Sequence, residues 1–449
     1  MKIHFIAIGG AIMHNLAIAL HKKGHEITGS DDIIFDPAKS NLEQCNLLPK
    51  KIGFFKENIH SNIDAIILGM HAKADNPELK KAQALGLKIY SFPEFIYEQS
   101  KAKTRVVIAG SHGKTSTTAM IMHVLKQQNL DFDYLVGAQL EGFENNVKIT
   151  DAPIILLEGD EYLSSAIEPT SKFHYYKPHI SVITGIAWDH VNVFPTWESY
   201  TNTFKTFIEN INESGQLIYF KEDETLKKLV SNAVCNTKAY TTPAHTIENG
   251  VTYLNNNQQT ALEIFGAHNL QNLEAARLVC EALNINANDF YTAISSFKGA
   301  ARRLEKIKTN SNIHAFKDFA HSPSKLEATI KAVKEQFSDK KLIACMELHT
   351  YSSTDPKFLK EFKNSMHPAD FAVIYMSDKA FEIKGKAAIK DETIHQNFNK
   401  KDIKVIRTPE KLADYLKNFD AEKYVFLLMT SGNFDGIDWE VFFREHKSI

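Results

Sequence analysis

Short apolar runs closed by glycine or acidic turns, each followed by apolar residues at helical spacing, recur along the 449 residues of the chain. Residues 2–8 form the first run, closed by Gly9-Gly10 and followed by a helical pattern to about Lys23. Ile27–Asp31, Ala65–Met70 and Leu87–Ser91 read as further strands, with a helix opening after His71 and Asn76-Pro77. Arg105–Ala109 is a β-like run that precedes helical spacing from about Thr117 to Leu125. Asp133–Val136, Pro153–Leu157, His179–Thr184 and Gln216–Phe220 follow as strands, with a helix over Thr196–Asn210. Residues 221–262 are polar, with short β runs and Asn-rich turns, and His268–Leu283 is a long helical pattern. Beyond Lys298-Gly299, strands are predicted around 303–308, 312–318, 341–346, 371–376, 403–406 and 424–430, with helices at 323–336, 357–364 and 409–417. Strands alternating with helices imply parallel sheets, whose ligands sit at the strand C-termini. The pattern therefore predicts an α/β protein of three tandem α/β domains: 1–103, ending in the polar, basic linker Ser100–Lys103, then 104–297 and 298–449.

One turn in this series carries chemistry on its own. Gly110-Ser111-His112-Gly113-Lys114-Thr115-Ser116 joins a strand to a helix, the setting of a phosphate-binding loop. There, backbone N–H groups and the helix N-terminus face phosphates, the lysine supplies a point charge, and the hydroxyl reaches Mg²⁺. The usual spacing would put a glycine at 108, which is Ile108, so the loop is a shorter form, G-x-x-G-K-T-S. The competing reading is a chance Gly-Lys-Thr in a surface turn, which the flanking strand and helix disfavour.

Composition narrows the partners. Lys+Arg 52 against Asp+Glu 54 gives no bulk attraction for nucleic acid or an anionic membrane, so nucleotide binding must come from a local site. Neither nucleic acid nor membrane is an expected partner. Cys45, Cys235, Cys280 and Cys345 lack any C-x-x-C spacing and read as reduced core thiols. The apolar stretch 3–13 is bracketed by His4 and His14, and no run approaches the ~18 apolar residues of a membrane span, so a cytoplasmic protein is expected. Asp31 stands 22 positions after Gly9, the layout of a nucleotide-binding β-α-β unit with its acid placed for a ribose hydroxyl. Ala11 and His14 break the full G-x-G-x-x-G fingerprint, which weakens a dinucleotide reading.

Two features end consecutive strands after the phosphate loop: Glu158-Gly159-Asp160-Glu161 and Asp189-His190. Each alone reads as a solvated turn or a cap. Downstream of a phosphate loop they fit Mg²⁺, which takes phosphate oxygens plus one or two carboxylates. His268-Asn269-Leu270-Gln271-Asn272 is by itself an ordinary helix start. Arg302-Arg303 is either a surface pair or a phosphate clamp. Asp318-Phe319-Ala320-His321-Ser322-Pro323 fits a ligand site or simple capping equally well.

The ordered set G-S-H-G-K-T-S, E-G-D-E, Asp-His, H-N-x-x-N, R-R and D-F-A-H-S-P resembles the Mur ligase family over the whole chain. The resemblance implies an ATP-dependent, amide-forming enzyme of peptidoglycan synthesis. It implies a Rossmann-like UDP-binding domain, a central P-loop ATPase-like domain, and a C-terminal Rossmann-like domain that binds the amino-acid or peptide acceptor. It further implies transfer of the γ-phosphoryl of ATP to a muramate carboxylate, then attack by the acceptor amine on the acyl phosphate. By resemblance, Lys114, Glu158, His190, Arg303 and His321 are catalytic. Gly110, Ser111, His112, Gly113, Thr115 and Ser116 bind ATP with His268, Asn269, Asn272, Arg302 and Asp318. Gly9, Gly10, Ser30, Asp31, His71 and Asn76 hold the UDP substrate, and Thr115, Glu158 and His190 hold Mg²⁺.

Within the family, Glu161-Tyr162, the Ser171–Tyr175 run and the Met429–Ile437 stretch are similar to the recycling branch, which joins UDP-N-acetylmuramate to L-alanyl-γ-D-glutamyl-meso-diaminopimelate. The expected partners are thus UDP-N-acetylmuramate and a peptide or amino-acid acceptor, on a monomer or weak dimer. The alternative acceptor is free L-alanine, and a further alternative is a non-catalytic nucleotide-binding regulator. Glu347–Ser353 departs from both branches, which carry arginines there. Lys205, fifteen residues after His190, is where several members use a carbamylated lysine; a plain surface lysine is the simpler reading.

Overall fold

A computed structural model describes residues 1–445 except 141, 166, 189–192, 258, 310–312, 351–352, 356–357 and 384–387. The chain forms two compact units, residues 1–241 with 275–290, and 242–274 with 291–449.

The first unit holds two sheets, the first wholly parallel and the second mostly so. Strands β1 (Lys2–Ile6), β2 (Glu26–Ser30), β3 (Ala65–Leu68) and β4 (Ile89–Ser91) pair in the order β2-β1-β3-β4. Their crossovers run through α1 (Ala11–Lys22), α2 (Ala38–Gln44), α3 (Pro77–Ala84) and, after β4, α4 (Phe92–Ser100). The second sheet contains β5 (Thr104–Ala109), β6 (Phe132–Leu135), β7 (Val147–Lys148), β8 (Ile154–Gly159), β9 (Ile180–Ile183), β10 (Gln216–Phe220) and β11 (Asn236–Tyr240). Its order is β11-β10-β9-β5-β8-β6-β7, with only β7 antiparallel. Central β5 is flanked by β8 and β9, so the turns leaving these three strands share one edge. Val106–Ala109, Ile155–Leu157 and Val182–Ile183 are almost wholly buried, the continuous apolar runs that a sheet covered on both faces requires. Helices α5 (Lys114–Gln127), α6 (Trp197–Glu209) and α7 (Glu224–Val230) follow β5, β9 and β10.

The basic linker read from the sequence is pinned rather than free. The Lys103 ammonium is 2.9 Å from Asp133 and donates to the carbonyls of Thr150 and Ala152. The buried Arg105 guanidinium donates to the carbonyls of Ser100 and Tyr176.

The second unit has a small antiparallel sheet, β12 (His245–Glu248), β13 (Val251–Leu254) and β14 (Thr260–Leu262), which the polar composition of 221–262 showed only as short β runs. This stretch falls within the expected central domain yet packs with the C-terminal unit: Thr252 donates to Gln336, whose amide in turn donates to the Gly250 carbonyl. Helices α8 (Ala267–Ala282) and α9 (Ala287–Ile294) come next in the chain; α9 is absent from the sequence expectation. Strands β15 (Glu305–Lys306), β16 (His314–Asp318), β17 (Lys341–Glu347), β18 (Phe371–Tyr375), β19 (Lys404–Ile406) and β20 (Tyr424–Met429) form a sheet in the order β15-β16-β20-β17-β18-β19. The helix α10 (Pro323–Gln336) links β16 to β17. The expected strand 303–308 shrinks to Glu305–Lys306 because Arg302 and Leu304 take positive φ (56° and 47°), which breaks an extended run. The expected helix 357–364 is, among the described residues, a single 3₁₀ turn at Leu359–Phe362. No helix among the described residues is long and apolar enough to cross a membrane.

Candidate active site

The edge shared by β5, β8 and β9 gathers the phosphate-loop residues. Gly110 has φ 128°, and a Cβ there would lie 2.2 Å from the Thr184 hydroxyl, so the backbone passes a neighbouring strand end too closely for any side chain. Gly113, at φ 77°, is the N-cap of α5. Lys114 is the first residue of that helix and Thr115, Ser116 and Thr117 follow, buried within its first turn. The unpaired N–H groups and positive end of a 14-residue helix thus open at the end of β5.

Several side chains on this edge have defined partners. The Lys114 ammonium donates to Glu161 Oε2 (2.8 Å) and to the Gly110 carbonyl (2.6 Å). Burial alone would lower its pKa, but the charges of Glu161, Asp160 and Glu158 outweigh that and hold it above the ordinary lysine value. The Thr115 hydroxyl donates to Glu158 Oε1 (2.7 Å), and the Gly137 N–H donates to Glu158 Oε2 (2.7 Å). Asp160 lies 2.5 Å from the Lys172 ammonium; burial works to raise its pKa, but Lys172 and Lys114 hold it below the usual range. Ser111 Oγ is 2.7 Å from the Tyr200 hydroxyl and accepts from the Ala187 N–H at 2.8 Å. The Thr184 hydroxyl donates to the carbonyl of His112. Asp189 and His190 lie outside the described residues. Lys205 is exposed on α6, 3.8 Å from Glu209 one turn on, an ordinary solvent-facing pair.

The first sheet brings the other nucleotide candidates to its C-terminal edge. The Gly9 N–H donates to Asp31 Oδ2 at 2.7 Å, so the acid expected to face a ribose holds the loop that opens α1. Burial pushes its pKa up. Ser30 is buried and donates to Glu78, while Asn76 caps α3 by accepting from the N–H groups of Glu78 and Leu79. Gly10 is the N-cap of α1, and His71 is exposed in the turn after β3.

The second unit holds the remaining candidates, several of them at the end of β16. Asp318 accepts from the N–H groups of Leu304 and Ala320, both at 2.7 Å. The Arg303 guanidinium lies 4.7 Å over the Phe319 ring, and the His321 ring meets that ring edge-on at 4.9 Å. Burial lowers the pKa of His268, partly offset by the charge of Asp318. Asn269 is buried and donates to the Phe265 carbonyl; Asn272 is buried on the same helix. Arg302 is exposed, its N–H bonded to Glu305. Sequence reasoning missed Tyr200, Lys172 and the pairing of Lys114 with Glu161. Only the position of Glu161 in the acidic turn hinted at it, since nothing local links residues 39 or 47 positions apart.

A cavity of about 790 Å³ lies away from these groups, between the far ends of α1 and α5 and strands β6 and β7. Its rim lysines Lys22, Lys23 and Lys148 are paired with Glu144, Asp151 and Asp131.

Models of three families match in series: "Mur ligase family, catalytic domain" over residues 2–104, "Mur ligase middle domain" over 108–280, and "Mur ligase, glutamate ligase domain" over 302–432. The chain is 30% identical to the UDP-N-acetylmuramate–L-alanine ligase of Clostridium tetani, covering 96% of each chain. It is 32% identical to the enzyme of the same name from Caldicellulosiruptor bescii, covering 83% of each. Among solved structures, the UDP-N-acetylmuramate–alanine ligase of Thermotoga maritima superposes with TM-score 0.70 at 21% identity, over 97% of this chain and 96% of that one. The murein peptide ligase of Psychrobacter arcticus superposes with TM-score 0.64 at 21% identity over the full length of both.

Proposed function

The chain belongs to the Mur ligase family, and from that premise we propose that it joins the carboxylate of UDP-N-acetylmuramate to the amine of L-alanine. It is an ATP-dependent carboxylate–amine ligase, like other members of that family. The observation that carries the chemistry is the phosphate edge: Lys114 and Thr115 open α5 directly opposite the carboxylates that end β8. The choice of free L-alanine rests on the names of the relatives. We further take 1–103, 104–297 and 298–449 as the UDP-sugar, ATP and acceptor domains.

In this reading the γ-phosphoryl of ATP passes to the muramate carboxylate, and the acceptor amine attacks the acyl phosphate to give a tetrahedral intermediate that expels phosphate. Catalysis of this kind is mostly positioning and charge neutralisation. The helix N-terminus and Lys114 hold the β/γ-phosphates. Thr115 and Glu158 present hard oxygen donors of the kind Mg²⁺ selects, and would hold that ion, with His190 as the proposed ligand of a second. Bound there, Mg²⁺ supplies neutralisation of phosphate charge. Arg303 and Asp318 are assigned to phosphate and ribose, His268, Asn269 and Asn272 to adenine, and His321 to the acceptor side. Gly9, Gly10 and Asp31 are assigned to the UDP moiety.

One observation favours a second acceptor, the tripeptide L-alanyl-γ-D-glutamyl-meso-diaminopimelate. Free L-alanine carries its carboxylate next to the attacking amine and needs a cation there. The described part of 347–353 offers no lysine or arginine: it holds the buried Glu347, which accepts from Thr430 and the Phe434 N–H and lies 3.7 Å from the His349 ring, and the hydroxyls of Thr350 and Ser353. In the tripeptide that carboxyl is a neutral amide, and both acceptors present the same L-alanyl amine. Phosphate release from ATP, Mg²⁺ and UDP-N-acetylmuramate, with L-alanine or tripeptide added, decides between them. Release with L-alanine supports the first reading, and release with tripeptide alone replaces it with the second. No release with either amine refutes the ligase assignment.

A further inference from the structure

Lys114 is the one cation of the loop, yet a buried carboxylate already engages it. Glu161 is wholly buried, and its Oε2 accepts from Lys114 at 2.8 Å. Its other oxygen lies 3.1 Å from the hydroxyl of Tyr200, itself wholly buried on α6. That hydroxyl is 2.7 Å from Ser111 Oγ, and Ser111 Oγ accepts from the Ala187 N–H. The protons can run in one direction only if every donor is to be used. Ala187 N–H donates to Ser111, Ser111 O–H donates to Tyr200, and Tyr200 O–H donates to Glu161. The chain of hydrogen bonds therefore starts on the turn after β9, crosses the phosphate loop, and ends on the carboxylate that faces Lys114.

We propose that Glu161 is a positioning residue that competes with nucleotide phosphate for Lys114, and that Tyr200 sets how strongly it competes. An ammonium has three N–H donors; Gly110 and Glu161 take two of them. A buried carboxylate beside the phosphates repels them and draws the lysine back, which weakens nucleotide affinity. Such weakening suits catalysis, because binding ATP equally well in ground and transition states does not speed the chemical step. Tyr200 donates to Glu161 and spreads its charge, so it moderates the hold on Lys114. This inference rests on the ATP reading of the loop.

The two substitutions should act in opposite directions, which general damage to the site would not produce. Glu161→Gln keeps the shape and removes the charge. ADP with Mg²⁺, titrated calorimetrically into the full-length protein, should bind about tenfold more tightly, the scale of one charge-assisted hydrogen bond, while kcat falls. Tyr200→Phe leaves Glu161 with one donor fewer, so ADP should bind about threefold more weakly, about half that scale in free energy. Glu161→Gln binding ADP as the wild type does, or more weakly, overturns the proposal. If Glu161→Gln does not fold, the Tyr200→Phe arm decides alone: unchanged or tighter binding refutes it. A wild type that binds no ADP overturns the nucleotide reading itself, and the inference with it.

Discussion

Replacing Gly110 by alanine tests the geometry of the phosphate loop most directly. Two costs add. The backbone stands at φ 128°, outside the regions that residues with a Cβ occupy, which costs about 1–3 kcal/mol. The new methyl would also lie 2.2 Å from Thr184 Oγ1, 2.9 Å from the Thr184 N and 3.2 Å from the Gly185 carbonyl. Two of these three atoms are backbone of the strand end and cannot rotate away, so overpacking adds about 1–3 kcal/mol. The total is about 2–6 kcal/mol, relieved only by moving the turn that places Ser111 and Lys114. Gly24→Ala provides the control: its φ is 92°, but a Cβ there meets nothing within 4 Å, so it carries backbone strain alone. Thermal unfolding and ADP titration should therefore separate the two variants. Gly24→Ala loses a few degrees and keeps its affinity; Gly110→Ala loses more stability and binds ADP at least tenfold more weakly. Equal melting temperatures and equal ADP affinity in the two variants would refute the close approach of the loop to β9.

Three further outcomes follow from single contacts. Thr115→Val keeps the branched shape but removes the donor to Glu158, a bond to a charged group of about 1.5–3 kcal/mol; the Mg²⁺ concentration for half-maximal phosphate release should rise, and an unchanged Mg²⁺ curve counts against Thr115 as a ligand. His268 has its folded pKa lowered by burial, so its contribution is fully present above the unfolded value of about 6.5 and lost as pH falls through the folded value. The urea midpoint should therefore drop from pH 7.5 to 5 more in the wild type than in His268→Asn, and parallel slopes would reject the burial argument. Asp160, held low despite burial by Lys172 and Lys114, works in the same sense at lower pH: its stabilising effect is lost as pH falls below about 3.9. Acid unfolding of Asp160→Asn should show a shallower dependence there, checked by circular dichroism.

What could be read from the chain alone was set by how local each cause is. The β5–loop–α5 unit was legible because strand, turn and helix are contiguous and glycines mark the two positions with positive φ. The pairing of Gly9 with Asp31 was foreshadowed because parallel β1 and β2 share a crossover of fixed form. That the Gly9 N–H takes one oxygen of that acid is visible only in the folded loop. Helix α9 was missed between two polar stretches, and β15 was overextended because nothing in the letters Arg-Arg-Leu signals positive φ at Arg302 and Leu304. For Asn76 and Ser30, named from the family resemblance, the fold adds what their letters could not show: one caps a helix and the other donates to buried Glu78.

The acidic turn after β8 shows why the type of residue is less informative than its partner. In sequence, Glu158, Asp160 and Glu161 are three equivalent carboxylates at a strand end. In the fold each faces a different group. Asp160 is neutralised by Lys172, and Glu161 engages the loop lysine and the Tyr200 hydroxyl. Glu158 differs in that its bonds among the described residues are to neutral donors only, the Thr115 hydroxyl and the Gly137 N–H. A carboxylate whose charge is not already matched by a lysine is the one that gains most from a divalent cation. Beside it, the hydroxyl that accompanies Mg²⁺ in phosphate loops is already in contact. In the proposed reading, one acid serves the metal, one the lysine and one the turn, a division set by which cation each can reach.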